Sequence, residues 1–393
     1  MPNFLHGVEV VEIDDGLRSI STVKSSIIGV VGTAPDAVAA TFPLNQPVLV
    51  TGPRMAEGLG ADGTLRDAYL AAYAQGVSVV IVVRVAEGAD AAGTLANVVG
   101  SVTAGTGVHA LLHSKSLTGQ VPRILAAPGY TSTPAASPVS PVTQALLTVA
   151  GRLRAVVIAD GPNTTEADAL TDAGKFGSDR LYIVDPAVTV FDTATAAYVT
   201  RPASAYAAGA LSRRDADRGF WWSPSNQVLN GVAGTARPVE FVISEPETEA
   251  NRLNEGKVAT IVRESGFRLW GNRSTATDSL WAFLSVRRTA DMIYESIEQA
   301  MLWAMDRPFS AQLVTDIRDT VQAYLDTLKA RGAILGGSCW LDPELNTEVT
   351  LKAGQLYLDF DIEPPAPLER LTFQARRNGG YYEELVSAVV ATN

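Results

Sequence analysis

Short apolar runs alternate with stretches of helical spacing between residues 25 and 184, and this pattern constrains the fold more than any other feature of the sequence. Strands that are buried on both faces appear as continuous runs of Val, Ile, Leu and Ala. We predict such strands at residues 26–31, 77–85, 123–127, 155–159 and 180–184. We predict helices between them near residues 64–75, 142–153 and 166–176. Strands separated by helices indicate a mostly parallel α/β sheet.

A further helix is predicted over residues 201–217, where small side chains recur at helical spacing. These small residues are Ala205, Ala208, Gly209 and Ser212. One side of this helix could therefore pack closely against a neighbouring element, although a glycine inside a helix weakens it.

Residues 258–308 combine a strand-like apolar run, an aromatic hinge and an amphipathic helix. The apolar run spans residues 258–262. Gly266 and Gly271 bracket Trp270, so we expect the backbone to turn sharply at both ends around a buried ring. If the Trp270 ring is buried, Trp270→Ala should cost roughly 3–5 kcal/mol by leaving a cavity.

The last hundred or so residues predict a second amphipathic helix and a pair of strands. The apolar positions of the helix are Val314, Ile317, Val321, Tyr324, Leu325 and Leu328. Apolar and polar residues then alternate over residues 356–362, which is typical of a half-buried strand. Prolines at positions 364, 365 and 367 favour a turn, after which residues 371–377 can return as the antiparallel partner. The residues expected to form a sheet that accepts further strands are Leu356, Leu358, Phe360, Leu371 and Phe373.

A chain of 393 residues is too long for one small core, so two or more domains are expected. The predicted fold class is α/β, with a mostly parallel α/β body and an α+β C-terminal domain that carries a small sheet. The predicted boundaries are an N-terminal arm at 1–22, the body at 23–250, the C-terminal domain at 251–378 and a C-terminal arm at 379–393.

We predict that the two terminal segments are extended arms. Val8 and Val10 alternate with Glu9 before the phase slips, which suits a strand with a bulge. Strands that lack partners in their own chain leave N–H and C=O groups unpaired, and joining a neighbour's sheet satisfies these groups. The candidate arm residues are Gly7, Val8, Glu9, Val10, Val11, Glu12, Ile13, Leu385, Val386, Ser387, Ala388, Val389 and Val390. The alternative for residues 7–13 is an edge strand of the chain's own sheet.

Charge and composition exclude several classes of protein. The formal net charge is −11, whereas a protein that binds duplex nucleic acid needs a cationic face. The N-terminal residues lack the basic region and apolar run of a secretory signal. No window approaches eighteen uncharged apolar residues, so no membrane insertion is expected.

Asp160 and Asp185 follow two predicted strands, where open parallel sheets bind ligands. The sequence contains neither a dinucleotide fingerprint nor a Walker-type phosphate loop. We therefore expect the two carboxylates to cap helices or turns, and we expect no cofactor. The alternative function is a nucleotide-dependent α/β enzyme with a site near Asp160 and Asp185.

Histidines and the cysteine provide little catalytic or metal-binding chemistry. His109 and His113 lie four residues apart, a spacing that places two imidazoles on one helix face, but no HExxH pattern surrounds them. We expect them to be ordinary surface histidines. Cys339 is the single cysteine, which excludes an internal disulfide and favours a small buried apolar role. The nucleophile pattern GxSxG is absent, so no catalytic residue is assigned.

Four sequence strings together resemble one known family. They are SAYAAGALSRRDADRGFW, WWSPSNQVLNGVAG, GFRLWGNRS and SLWAFLSVRRTADMI. In this order and spacing, and with the opening FLHGVEVVEIDDG, the chain resembles the tail sheath proteins of contractile phage tails and of R-type tailocins. The resemblance covers nearly the whole chain.

This resemblance implies a subunit without enzymatic activity that polymerises helically, in stacked rings, around an inner tail tube protein. It also implies that the terminal arms join the C-terminal sheets of adjacent subunits. The extended sheath would be metastable, and its contraction would drive the tube through a target envelope without nucleotide hydrolysis. Baseplate and tail terminator proteins are the further implied partners. The implied location is a virion tail or tailocin particle assembled in the bacterial host cytoplasm.

Under this resemblance, three arginines are candidates for contact with an acidic tube surface. They are Arg287, Arg288 and Arg318. Such charged contacts would steer assembly and stay sensitive to salt. The alternative is that these arginines belong to a solvated helix face.

Overall fold

The computed structural model of the protein describes residues 19–134 and 137–391. Its strands are β1 (Ile28–Thr33), β2 (Pro47–Val50), β3 (Val80–Val85), β4 (Ile124–Ala126), β5 (Val156–Asp160), β6 (Leu181–Val184), β7 (Val188–Asp192), β8 (Ala197–Arg201), β9 (Gln227–Val228), β10 (Val232–Thr235), β11 (Val258–Arg263), β12 (Phe267–Trp270), β13 (Gly336–Leu341) and β14 (Leu358–Glu363). Its helices are α1 (Pro53–Ala56), α2 (Leu65–Ala74), α3 (Ala91–Val99), α4 (Ser114–Thr118), α5 (Pro141–Leu153), α6 (Glu166–Ala173), α7 (Ala203–Arg218), α8 (Glu249–Glu255), α9 (Leu284–Ala300), α10 (Ala311–Ala330), α11 (Glu348–Lys352) and α12 (Tyr381–Val390). Short 3₁₀ helices lie at Glu57–Leu59, Gly107–His113, Ser279–Trp281 and Met301–Ala304.

A nine-stranded sheet forms the body, in the order β2-β3-β1-β4-β5-β6-β11-β12-β9. From β3 to β11 in this order, the six strands are parallel to one another. The strands β2, β12 and β9 pair antiparallel at the two ends of the sheet. The predicted parallel α/β fold is therefore confirmed, and all five strands predicted between residues 25 and 184 lie in the parallel block.

The position of β11 revises one predicted boundary. Val258 and Ala259 of β11 pair with Ile183 and Val184 of β6. Residues 258–270 therefore belong to the body sheet, and the division predicted at residues 250 and 251 falls before two of its strands.

Alternate side chains of the parallel strands pack into two separate apolar layers. Val156 and Ile158 of β5 face the layer that contains α2 and α7. Val157 of the same strand faces the layer that contains α5. Because both faces are covered by helices, these strands read as continuous apolar runs in the sequence.

The helix α7 confirms the predicted helix over residues 201–217 and its close packing. Its small residues from Ala203 to Ser212 are buried. A Cβ atom placed on Gly209 would lie 2.9 Å from Ala72 Cα of α2. The glycine therefore allows the two helices to approach each other closely.

The backbone of the aromatic hinge agrees with the prediction, but the burial of its tryptophan does not. Gly266 and Gly271 have φ angles of +104° and +138°, which L side chains rarely adopt. Trp270 is only half-buried, whereas Leu269 beside it is completely buried. The prediction of a buried tryptophan ring is therefore wrong, because β12 turns Leu269 rather than Trp270 toward the core.

A second cluster of apolar side chains joins α9, α10 and the small C-terminal sheet. Met292 and Ile293 of α9 pack with Tyr324 and Leu325 of α10, and Phe360 of β14 lies against them. Ile20 and Val23, near the start of the described residues, also pack against this cluster. The predicted helices at both positions are confirmed.

The partner of β14 differs from the prediction. β14 pairs antiparallel with β13, with Cys339 opposite Phe360. Residues 371–377 form no strand, and Leu371 and Phe373 are 64% and 85% exposed. The prolines at positions 364, 365 and 367 fix φ and remove backbone donors, so the chain leaves β14 as an extended coil instead of reversing beside it.

The C-terminal arm residues predicted as a strand, 385–390, form part of the helix α12. A strand without a partner leaves its backbone groups unpaired, whereas a helix satisfies them within the segment. A subunit without neighbours therefore favours the helix. The other predicted arm, residues 7–13, lies outside the described residues.

Candidate functional site

Asp160, at the carboxyl end of β5, joins the loop after β4 to the start of α7. Its carboxylate accepts hydrogen bonds from Ser204 N at 2.8 Å and Ser204 Oγ at 2.7 Å, from Gly129 N at 3.1 Å and from Thr131 Oγ1 at 3.3 Å. Burial raises the pKa of Asp160, against the opposing effect of these donors. The carboxylate fixes the start of α7, as a capping role predicts.

Asp185 is also occupied by protein partners. Its Oδ1 accepts from Arg237 Nη2 at 2.6 Å, and its Oδ2 accepts from Asn163 N at 2.7 Å. Burial raises the pKa of Asp185, and the hydrogen bond from Arg237 opposes this effect. The structural role expected for this carboxylate agrees with these contacts.

A cleft of about 220 Å³ lies beside Asp160, lined by Gly129, Asn163 and Pro202 among others. Pockets for small ligands usually measure about 300–1,000 Å³ and place free polar groups toward the ligand. The carboxylate oxygens here are already bonded within the protein. The geometry gives no support to the alternative of a nucleotide-dependent enzyme.

The histidine pair and the cysteine form no site. His109 is buried, which contradicts its predicted surface position, while His113 is exposed. Both lie in the 3₁₀ helix Gly107–His113, where residues four apart do not share one face. Cys339 is half-buried, and burial raises the pKa of its thiol. Within residues 19–134 and 137–391 there is no group of three or more His, Cys, Asp or Glu that could hold a metal ion.

Two of the three arginines predicted to contact a tube lie inside the protein. Arg288 forms a double ion pair with Asp215 and donates to Ser25 O. Arg287 pairs with Asp291 at 2.8 Å. Both side chains are buried, so the prediction that Arg287 and Arg288 contact a tube is wrong. Arg318 is exposed on α10, where it pairs with the adjacent Asp319.

Together with Arg288–Asp215, two further ion pairs join α9 to the body, and none of the three is predicted from the sequence. Arg180, just before β6, binds Asp291 of α9 through both of its terminal nitrogens. Arg123, just before β4, pairs with Glu295 of α9. The sequence signal for such pairs is a run of charged residues inside a helix of otherwise apolar spacing, which by itself also fits the predicted tube contact and its alternative, a solvated face.

The small sheet of β13 and β14 is only partly buried. Leu358 and Phe360 lie in β14 and are half-buried, while Leu356 lies just before it. Phe360 packs edge-on against Tyr294 of α9, with ring centroids 5.8 Å apart. Of the five predicted acceptor residues, the structure therefore brings together the three around β14 and leaves Leu371 and Phe373 in solvent.

The helix α12 exposes apolar side chains along its whole length. Leu385, Val386, Val389 and Val390 are 62%, 59%, 58% and 69% exposed. None of the helices in the described ranges is both long and apolar enough to cross a membrane. An apolar surface of this kind on a protein is typical of an interaction site.

Comparison with known proteins identifies the family. Residues 103–275 match the phage tail sheath protein central domain, and residues 276–377 match the phage tail sheath C-terminal domain. A prophage major tail sheath protein of Pseudomonas aeruginosa (strain UCBPP-PA14) is 38% identical over 98% of this chain and 99% of its own length. The tail sheath protein of Escherichia phage P2 is also 38% identical, over 99% of both chains.

Solved structures show the same fold at lower identity. The helical sheath of the anti-feeding prophage in its contracted state matches with a TM-score of 0.70 at 21% identity, covering 96% of this chain and 100% of that chain. The sheath of the PVC extracellular contractile injection system, also contracted, matches with a TM-score of 0.68 at 18% identity, over 96% and 100% of the two chains. The chain therefore belongs to the contractile phage tail sheath protein family and is a structural sheath subunit.

Proposed function

We propose that this sheath subunit polymerises helically around an inner tail tube, and that residues 7–13 and 385–390 of neighbouring copies extend the sheet of β13 and β14. The observation that carries the proposal is the size of this sheet, which has two strands among the described residues. Sheets of two strands are marginally stable, and an open edge offers unpaired backbone groups to a further strand. Each added ladder hydrogen bond contributes only about 1 kcal/mol, so the tether gains strength by repetition over many subunits.

The apolar side chains of residues 385–390 support the same arrangement. They lie in solvent in the free subunit and would become buried when this segment joins a neighbour. Contacts that join different surfaces of successive copies, and do not close into a ring, generate helical tubes. Each added copy in such an arrangement presents the same surfaces to the next copy.

The body is suited to move as one block during contraction. The buried pair Arg180–Asp291 attaches α9 to the start of β6 in the large sheet, and the buried pair Arg288–Asp215 attaches it to α7. Contraction would then change contacts between copies rather than the fold of each copy. The free energy stored in the extended assembly would drive the tube through a target cell envelope, without nucleotide hydrolysis.

The remaining partners follow from the same proposal. The inner tail tube protein would face Arg318 or other exposed residues, and baseplate and tail terminator proteins would meet the two ends of the sheath. The sheath would form part of a virion tail or tailocin particle that assembles in the bacterial host cytoplasm. The similarity to the phage P2 tail sheath protein supports this location.

Truncation tests the proposal. Deletion of residues 1–20, or of residues 381–391, should leave a folded body that forms no tubes when it is co-expressed with the tube protein. Circular dichroism checks the fold, and electron microscopy checks assembly. Normal helical tubes from either truncation would contradict the proposal.

A point substitution provides a matched control for the truncations. Val386→Pro keeps the length of the arm but removes a ladder donor and should prevent assembly. Val386→Thr keeps a β-branched side chain and should assemble normally.

A further inference from the structure

A cleft at the carboxyl end of α7 is lined almost entirely by polar side chains. It measures about 290 Å³, and six of its seven lining residues are polar or charged. Pockets for small ligands begin at about 300 Å³, so a cleft of this size suits a ligand of few atoms. The polar lining residues, four from α7 and two from the chain at β9, are Arg213, Arg214, Asp217, Arg218, Asn226 and Gln227.

The three arginines of the cleft lack the carboxylate partners that buried arginines have elsewhere in the body. Arg213 donates to Val228 O at 2.7 Å, and Arg214 reaches Ser225 O only at 3.5 Å. Within the described ranges, Arg218 makes a contact with an aromatic ring but no hydrogen bond or ion pair. Most of the donor capacity of these guanidinium groups is therefore free.

Arg214 shows the imbalance most clearly. Its Nε is buried and has no hydrogen-bond partner among the described residues. Arg218 follows one turn later on the same helix face, a spacing at which like charges repel. Burial, and then the charges of Arg213 and Arg218, lowers the pKa of Arg214 against the opposing effect of Asp217. The cluster is thus an energetic cost to the free subunit, and a bound anion would remove it.

Trp222 forms an aromatic wall beside this cluster. The guanidinium carbons of Arg214 and Arg218 lie 5.8 Å and 5.6 Å from the centroid of its ring, and the side chain is 43% exposed. Contacts between a cation and an aromatic face are attractive, but they add no negative charge. The ring therefore helps to hold the two arginines in place without neutralising them.

The charge of the cleft selects among anions. Three guanidinium groups and the carboxylate of Asp217 leave an excess of two positive charges. The carboxyl end of α7 supplies about half a negative charge, which leaves an excess of about one and a half. A phosphate group carries about −1.5 to −2 at pH 7 and presents three acceptor oxygens. A carboxylate carries a single charge and two oxygens, so it balances the cleft less well.

We propose that the cleft formed by Arg213, Arg214 and Arg218 is a binding site for a phosphate group, either the free ion or the phosphate of a larger molecule. Guanidinium groups present donors in a planar fork that matches phosphate oxygens. The bound group lies between α7 and β9 and neutralises the end of the helix. This site is separate from the cleft beside Asp160, where the carboxylate oxygens are already bonded within the protein.

Calorimetric titration of the unassembled full-length subunit with inorganic phosphate tests the site. Sodium chloride holds the ionic strength constant, so that general screening of charges does not change. We expect one phosphate to bind per subunit. Arg214→Gln combined with Arg218→Gln should weaken this binding by at least about tenfold, because both charge-assisted forks are lost. Circular dichroism checks that the variant is folded.

A matched control removes the same charge at another place. Arg307 and Arg318 are exposed and do not line the cleft, and Arg307 also lies over a tryptophan ring, 4.9 Å from the centroid of Trp303. Arg307→Gln combined with Arg318→Gln should leave the affinity for phosphate unchanged.

Asp217→Asn gives a prediction of the opposite sign. It removes the negative charge from the cleft, so it should tighten phosphate binding by at least about twofold. Damage to the fold cannot produce tighter binding, so this variant tests the site even if the arginine variant does not fold. Weaker binding by Asp217→Asn would contradict the proposed site.

Two further probes distinguish the chemistry of the ligand. Phenyl phosphate carries an aromatic ring that can stack on Trp222. Tighter binding of phenyl phosphate than of inorganic phosphate would support a phosphate ester as the ligand, and the reverse would support the free ion. Succinate carries two carboxylates, and succinate binding as tight as that of phosphate would overturn the choice of a phosphate group.

Two other results would overturn the site itself. The first is the absence of phosphate binding, or equal binding by the unsubstituted subunit and by Arg214→Gln with Arg218→Gln. The second is a subunit that binds no phosphate but loses tube assembly in that double variant, because the arginines would then serve an acidic protein surface. Neither result depends on the terminal segments, so the proposed function is tested separately.

Discussion

The guanidinium of Arg288 lies in a double ion pair with Asp215, with Nη1 at 2.7 Å from Oδ1 and Nη2 at 2.5 Å from Oδ2. Arg288 belongs to α9 and Asp215 to α7, so the pair connects the C-terminal helices to the helix layer of the body. Both side chains are almost completely removed from solvent. An ion pair buried in this way matters chiefly because neither charge can be left alone.

We predict that Arg288→Met destabilises the subunit by roughly 3–5 kcal/mol, because the carboxylate of Asp215 is then buried without a partner. Urea denaturation of the unassembled subunit measures this loss. The double variant Arg288→Met with Asp215→Leu should recover most of the stability, because it removes both charges. Arg318→Met, at the exposed pair on α10, should change the free energy of unfolding by no more than about 0.5 kcal/mol. Equal losses from Arg288→Met and Arg318→Met would contradict the prediction.

Close contact between α2 and α7 gives the second prediction. Gly209→Ala should destabilise the subunit, because the added Cβ would lie 2.9 Å from Ala72 Cα and the backbones would have to separate. We expect a loss of about 1–3 kcal/mol by thermal or urea unfolding.

A second helical glycine provides the control for Gly209. Gly151 lies in α5 with no heavy atom within 4 Å of its added Cβ. Gly151→Ala should therefore stabilise the subunit by about 0.5–1 kcal/mol through helix propensity alone. A stabilising Gly209→Ala would show that the helices do not need this close approach.

The sequence predicted the parallel body well because its strands carry a signal in their own residues. The run at residues 155–159, for example, is apolar at every position because both faces of β5 are covered. The small sheet formed by β7, β8 and β10 was not predicted, and its strands are short and partly exposed. Exposed strands carry a weaker pattern, because water can replace the core on one face.

The errors around the C-terminal sheet and the buried arginines have a different cause. Arg287 and Asp291 lie four residues apart on α9, a spacing at which side chains of a helix can pair, whereas Asp215 precedes Arg288 by 73 residues and nothing in the residues near Arg288 indicates it. Residues 385–390 are predicted as an arm strand that joins a neighbour's sheet, whereas the free subunit provides no partner strand and these residues form part of the helix α12. Tertiary contacts, and the lack of a neighbouring subunit, therefore determine the structure of those elements that the local sequence pattern does not predict.

The hinge after β11 gives the third prediction, which compares two adjacent residues. Leu269 is completely buried, so Leu269→Ala should cost about 2–5 kcal/mol by leaving a cavity in the body core. Trp270 is half-buried against Phe241, with ring centroids 5.0 Å apart. Trp270→Ala should cost only about 1–2 kcal/mol, from the lost ring pair and part of its burial. A larger loss for Trp270→Ala than for Leu269→Ala, measured by urea denaturation, would indicate that the tryptophan is the anchor of the hinge.

The fourth prediction concerns pH and the buried imidazole of His109. Burial, and secondarily the charge of Arg152, lowers the pKa of His109 below its ordinary value of 6.5. In the unfolded chain this histidine takes up a proton below about pH 6.5, while in the folded subunit it stays neutral to lower pH. Its contribution to stability is therefore present above pH 6.5 and is lost as the pH falls from 6.5 toward the lower folded pKa.

We expect His109→Gln to flatten the decline in the free energy of unfolding between about pH 6.5 and 5, where one histidine can account for at most about 1.4 kcal/mol per pH unit. His113 lies four residues away and is exposed, so His113→Gln is the matched surface substitution. Urea denaturation at several pH values measures all three proteins. A glutamine cannot titrate in this range. If the free energy of unfolding of His109→Gln declined with falling pH as steeply as that of the unsubstituted subunit, groups other than His109 would be responsible for the decline.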